Sequence, residues 1–152
     1  MQQTFFKEIE AAAIEAGAKT VMMAERLAAC FEMPPTPAVI IRHVGDIMAS
    51  PYICDVRAVV DVSWLYDDPA RAGASSKAST PSGRATDIEA EAFAARMEAA
   101  SKIVGLCVSV SPFLWGAPPT EVRHWRAGKR AAATVRVTLS ERMEFNYLDN
   151  DA

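Results

Sequence analysis

The chain has 152 residues, 51% of them hydrophobic, and a formal net charge of −3. That size and apolar content suit one domain that folds without disulfides or a structural metal, and the acidic balance argues against a general nucleic-acid binder. Cys30, Cys54 and Cys107 are odd in number and widely spaced among apolar neighbours, as reduced buried thiols are. No run approaches the roughly 18 apolar residues of a membrane span. The N-terminus, with Lys7, Glu8 and Glu10, lacks the layout of a signal peptide. The protein is therefore expected to stay inside the cell that makes it.

Taken in order, Thr4 is placed to cap a helix starting at Phe5, with Phe5, Ile9, Ala12 and Ala13 on one side. Gly17 ends or bends it, and the spacing resumes through Val21, Ala24, Leu27, Ala28 and Phe31. Residues 4–32 thus read as one bent helix or two in succession, stopped by Pro34 and Pro35. Ala38 to Val44 is β-branched and reads as a strand, with Gly45-Asp46 as a turn after it. Next comes the most regular stretch of the chain. Between Tyr52 and Tyr66, Cys54, Val56, Ala58, Val60, Val62 and Trp64 alternate with Asp55, Arg57, Asp61 and Ser63, the period of a half-buried strand. A strand of this length can overhang the sheet as a ribbon.

Residues 67–86 hold no large apolar side chain and are expected to form a flexible loop. Thr86 and Glu89 have capping-box spacing for a helix to about Lys102, with Ile88, Ala92, Phe93, Met97, Ala100 and Val104 as its sheet-facing stripe. Ile103 to Val110 reads as a strand, followed by a proline-punctuated loop carrying Phe113 and Trp115. Glu121 to Arg126 reads as another strand, Ala127-Gly128-Lys129 as a turn, and the last strand alternates Val135, Val137 and Leu139 with Arg136, Thr138 and Ser140. A bend is expected near Glu141. The expected fold is α+β, a mixed and mainly antiparallel sheet of four to five strands with an N-terminal helix and a second helix packed on it. Residues 1–148 form the single domain, and 149–152 a disordered tail.

The chemistry-bearing residues do not converge on a catalytic pattern. His43 and His124 lack a metal-ligand companion at zinc spacing. Asp61, Asp67 and Asp68 are too few to define a divalent-ion site, and the loop-entry pair reads as solubilising. Neither a nucleophile elbow nor a glycine-rich phosphate loop is present. No catalytic, cofactor or metal residue is assigned. Charge is unevenly placed: Arg123, Arg126, Lys129, Arg130 and Arg136 oppose Glu121 alone, whereas Glu141, Glu144, Asp149 and Asp151 dominate the C-terminal stretch. Patches of opposite sign on one small domain can serve head-to-tail self-association. Trp115 and Phe113 are either interface anchors or a lid on the core.

An N-terminal helix, a proline-marked lead into Pro37-Ala38-Val39-Ile40-Ile41, a long amphipathic strand, a polar loop, one helix and a terminal hairpin ending in Thr134-Val135-Arg136-Val137-Thr138-Leu139 follow one another. This layout resembles the tail-terminator and tail-completion proteins of long-tailed bacteriophages. The resemblance implies a non-enzymatic virion protein of the tail or neck, assembled in the host cytoplasm. It would form a homo-oligomeric ring, hexameric in expectation, that caps the tail tube and joins it to the head connector. Its partners would be itself, the tail tube protein and the head-tail connector protein, with no cofactor, no membrane, and DNA at most passing through the ring. Candidate contact residues are Ser75, Ser76 and Lys77 in the loop, Trp115, and Arg123, Arg126, Lys129 and Arg130 in the hairpin. The alternatives are another head-tail connector or tail-tube subunit and, in a different class, a small cytosolic enzyme or acidic chaperone.

Overall fold

The computed structural model describes residues 2–24, 34–50, 52, 55–69 and 82–140. Its elements are α1 (Gln2–Glu15), β1 (Thr20–Met23), β2 (Ala38–Ser50), β3 (Asp55–Asp67), α2 (Ser82–Ser109), a 3-10 turn (Ser111–Phe113), β4 (Arg123–Ala127) and β5 (Arg130–Thr138). The strands form one sheet in the order β1-β2-β3-β5-β4, parallel between β1 and β2 and antiparallel elsewhere. The chain is therefore α+β with a mixed sheet and two helices on it, as its periodicities imply.

The central alternation works as its spacing predicts. Ala58, Val60, Val62 and Trp64 point from β3 to the helical side, where Phe5, Ile9 and Ala13 of α1 and Ala99, Ile103, Leu106, Cys107 and Val110 of α2 close the main core. Val39 and Ile41 of β2 and Val135 and Val137 of β5 complete it. Fully burying one such aliphatic side chain stabilises the fold by roughly 1.5–3 kcal/mol. Cys107 sits within this core, and burial pushes its thiol up to about 11. It is thus a packing residue rather than a nucleophile at neutral pH.

Several boundaries differ from those the sequence suggests, each for a physical reason. Thr20–Met23 is an edge strand, not helix. Gly17 has φ 109°, which ends the helical course, and Lys19 and Ala24 donate backbone N–H groups to Pro37 and Ile41. The rest of that expected helix, 25–33, lies outside the described residues. Gly45-Asp46 is not a turn. The register of β2 against β3 shifts between His43 and Gly45, so this glycine marks a β-bulge inside a strand that continues to Ser50. Ile103 to Ser109 is helix rather than strand, and Val110 is a turn residue. The apolar residues Ile103, Leu106, Cys107 and Val110 fit helical spacing as well as a buried strand, and a short apolar run cannot separate the two. Helix α2 starts at Ser82, four residues before Thr86, so the supposed capping box lies within the helix. Both ends of the expected loop belong to regular elements, since β3 runs to Asp67 and the helix has begun by Ser82, and residues 70–81 lie outside the described residues. The bend expected near Glu141 and the tail 149–152 lie outside the described residues.

Candidate functional site

The sheet face opposite the helices carries rows of residues set by register. Ala38, Leu65 and Ala132 stand side by side in one row, with Trp125 next to Ala132, and Ile40 joins this small buried cluster. One row along, Ser63 and Thr134 share a 2.7 Å hydrogen bond, and the Trp125 indole N–H donates to Thr134 Oγ1 at 2.8 Å. In the next row Arg42, Asp61 and Arg136 lie directly opposite one another. Asp61 is buried, against the expectation of a solvated face, and accepts hydrogen bonds from Arg42 at 3.1 Å and from Arg136 at 2.8 and 3.2 Å. Arg123 approaches the same carboxylate at 3.5 Å. Burial alone would raise the Asp61 carboxyl. The hydrogen bond and charge of Arg136, then Arg42, then the charge of Arg123 overcome that effect and leave it below its ordinary value. One carboxylate thus ties four strands together, and this part of the sheet keeps an excess of positive charge.

The hairpin cations are matched in the same way. Arg126 pairs with Asp68 at 3.2 Å and Arg130 with Asp67 at 3.4 Å, so three hairpin arginines, with Arg123, are ion-paired within the subunit. Asp68 is buried, not a solubilising residue at the surface. Lys129 is exposed in the two-residue turn, where Gly128 takes φ 61°. The two loop aromatics differ in burial. Phe113 folds edge-on to Phe5 with ring centroids 6.3 Å apart. Trp115 stays 46% exposed, with the Arg57 guanidinium 5.4 Å from its ring. Ser75, Ser76 and Lys77 lie outside the described residues. Among the described residues no group of three or more histidines, cysteines or carboxylates is arranged to hold a metal ion.

Two apolar surfaces escaped the sequence reading. Ile47 and Met48 near the end of the β2–β3 ribbon are exposed, and Tyr52 just beyond is 95% exposed. On α2, Phe93 and Met97, expected in the core stripe, are instead 60% and 53% exposed, with Val108 open further along. At 100° per residue these three point roughly 145° away from the buried stripe of Ala99, Ile103 and Leu106. The detectable signal was an excess: the helix carries more large apolar residues than one sheet-facing stripe can bury.

Alanine dominates the contact of the N-terminal half of α2 with the sheet, through Ala92, Ala95 and Ala99, and two cavities flank Tyr66 there. One, of about 370 Å³, lies between Trp64, Glu98 and Lys102. Lys102 closes it by donating to the Ala16 carbonyl at 2.6 Å, beside the end of α1, with its ammonium 5.9 Å from the Trp64 ring. The other, of about 420 Å³, is lined by Tyr66, Arg96, His124 and Arg126. No protein-family model matches the chain, and no curated protein matches it.

Proposed function

We propose that the chain is a structural subunit of a long-tailed bacteriophage or a tail-derived assembly, working without catalysis as one member of an oligomeric ring. On this reading it acts in the tail or neck of the virion, caps the tail tube and offers the head connector a docking surface, with DNA at most passing through. The observation that carries the reading is the pair of dissimilar apolar surfaces on one chain, a narrow ribbon tip and a helix stripe. Two unlike surfaces that fit each other give a heterologous contact, and such contacts close into rings when the rotation allows. The ribbon of one subunit seats Met48 and Tyr52 on Phe93 and Met97 of the next. The buried carboxylates support the same reading, since Asp61 and Asp68 are engaged by arginines in holding strands together. The succession of helix, long strand pair, helix and terminal hairpin is the layout on which the resemblance to tail terminators rests.

Negative-stain microscopy of the purified protein tests this directly. Annular particles with an open lumen, most of them six-fold in class averages, are expected. Fields of small featureless particles at every concentration would overturn the reading.

A further inference from the structure

The cavity beside α2 brings three kinds of oxyanion donor to one concave wall: Tyr66 from β3, Arg96 from α2, and His124 and Arg126 from β4. Their charges are not balanced. Arg126 is paired with Asp68, whereas no carboxylate among the described residues pairs with Arg96. Burial, and after it the nearby charge of Arg96, holds the His124 imidazole below its ordinary value. Burial, and after it the charge of Asp68, holds the Tyr66 phenol above its own, against the opposing charges of Arg96 and Arg126. At neutral pH the cavity therefore presents one guanidinium with no carboxylate partner among the described residues, a second shared with Asp68, a phenol O–H and a neutral imidazole. An unmatched guanidinium on a cavity wall favours an anion, and its planar fork of N–H donors suits the oxygens of a phosphate. The cavity, about 420 Å³ and open to solvent at the exposed His124 and Arg126, is of small-molecule size.

We infer that this cavity binds the terminal phosphate of a small phosphomonoester, with Arg96 and Arg126 gripping its oxygens and Tyr66 and His124 completing the ring of donors. The site is independent of the ring reading, since it lies within one subunit. A bound phosphate would supply the counter-charge that Arg96 lacks among the described residues, and its negative charge would raise the proton affinity of His124.

The chain has two histidines, so imidazole NMR reads the site with little ambiguity. Inorganic phosphate and a nucleoside 5′-monophosphate are each titrated in, with the unphosphorylated nucleoside and sodium chloride at matched ionic strength as controls. Both phosphate ligands should shift the His124 resonances saturably and raise its titration midpoint, leaving His43, which pairs with Asp46 at 3.0 Å, in place. Arg96→Gln should weaken the response about tenfold or more, as expected for a lost charge-assisted contact, and raise the His124 midpoint in the empty protein. Arg96→Lys, which keeps the charge and loses the fork, should fall between. Several results would overturn the site: no saturable response, equal movement of His43 and His124, an unaltered response in Arg96→Gln, or a response only to duplex DNA. Inorganic phosphate that binds as tightly as the monophosphate narrows the ligand to the phosphate group itself. A monophosphate that binds tighter shows that the cavity also holds the attached group.

Discussion

Replacing Asp61 with alanine is expected to lower the unfolding free energy by about 2–3 kcal/mol, or roughly 5–10 °C in Tm for a domain of this size. Removing one partner of a buried ion pair typically costs about 3–5 kcal/mol because it strands the other charge. Here three arginines are stranded, but their side chains are a third to half exposed, so solvent screens part of the loss. Measured in a Phe93→Glu background, where assembly does not contribute, chemical denaturation isolates this effect. The deficit should shrink with added salt, since the residual repulsion among Arg42, Arg123 and Arg136 is between partly exposed charges. Arg136→Ala, which leaves two cations on the same carboxylate, should cost less. A loss under about 1 kcal/mol for Asp61→Ala would show that the network is no stronger than a surface ion pair.

The pH dependence follows from the direction of the shift. The folded carboxyl lies below its ordinary value of 3.8, so its stabilisation is fully present above that value and is lost as pH falls through the lower folded value. The Asp61-dependent difference between parent and variant should accordingly be constant at neutral pH and disappear only in strong acid. A difference that faded between pH 5 and 7 would contradict the assignment.

The second large effect concerns association. Met48→Glu and Phe93→Glu each put a charge in the middle of the proposed apolar contact while replacing a side chain more than half exposed in the subunit. Each should weaken the subunit joint by about 3 kcal/mol, more than a hundredfold, yet leave subunit stability within about 0.5 kcal/mol. Because the proposed joint is heterologous, the two variants should behave differently together than apart. The intact ribbon of the Phe93→Glu chain still fits the intact helix of the Met48→Glu chain. An equimolar mixture should therefore give a heterodimer and stop there. Recovery of full rings from the mixture, or no association at all, would rule out the ribbon-on-helix joint.

Much of the fold was legible because one face of the sheet is simple. Val60, Val62 and Trp64 alternate with polar residues, and Val135 and Val137 repeat the pattern, so the core strands announce themselves by period alone. What was not legible depended on partners distant in sequence. Thr20–Met23 becomes a strand because β2 supplies it with hydrogen bonds, and Gly45 becomes a bulge because β3 continues past it. Phe93 and Met97 carry helical spacing whether they face sheet or solvent, and only the position of α2 decides. The hairpin arginines were visible as charge, but their pairing with Asp61, Asp67 and Asp68 required the registers of β3 against β5 and of β5 against β4. Arg96 gave no sequence signal, since its cavity neighbours Tyr66, His124 and Arg126 come from β3 and β4, distant in sequence.

Sedimentation velocity of the unmodified protein over a wide concentration range tests the central claim most directly, that this chain works by binding copies of itself. The expected result is a single discrete oligomer, six subunits by mass, that falls apart to folded monomer in Phe93→Glu. A monomer at every concentration, indistinguishable from that variant, would contradict it.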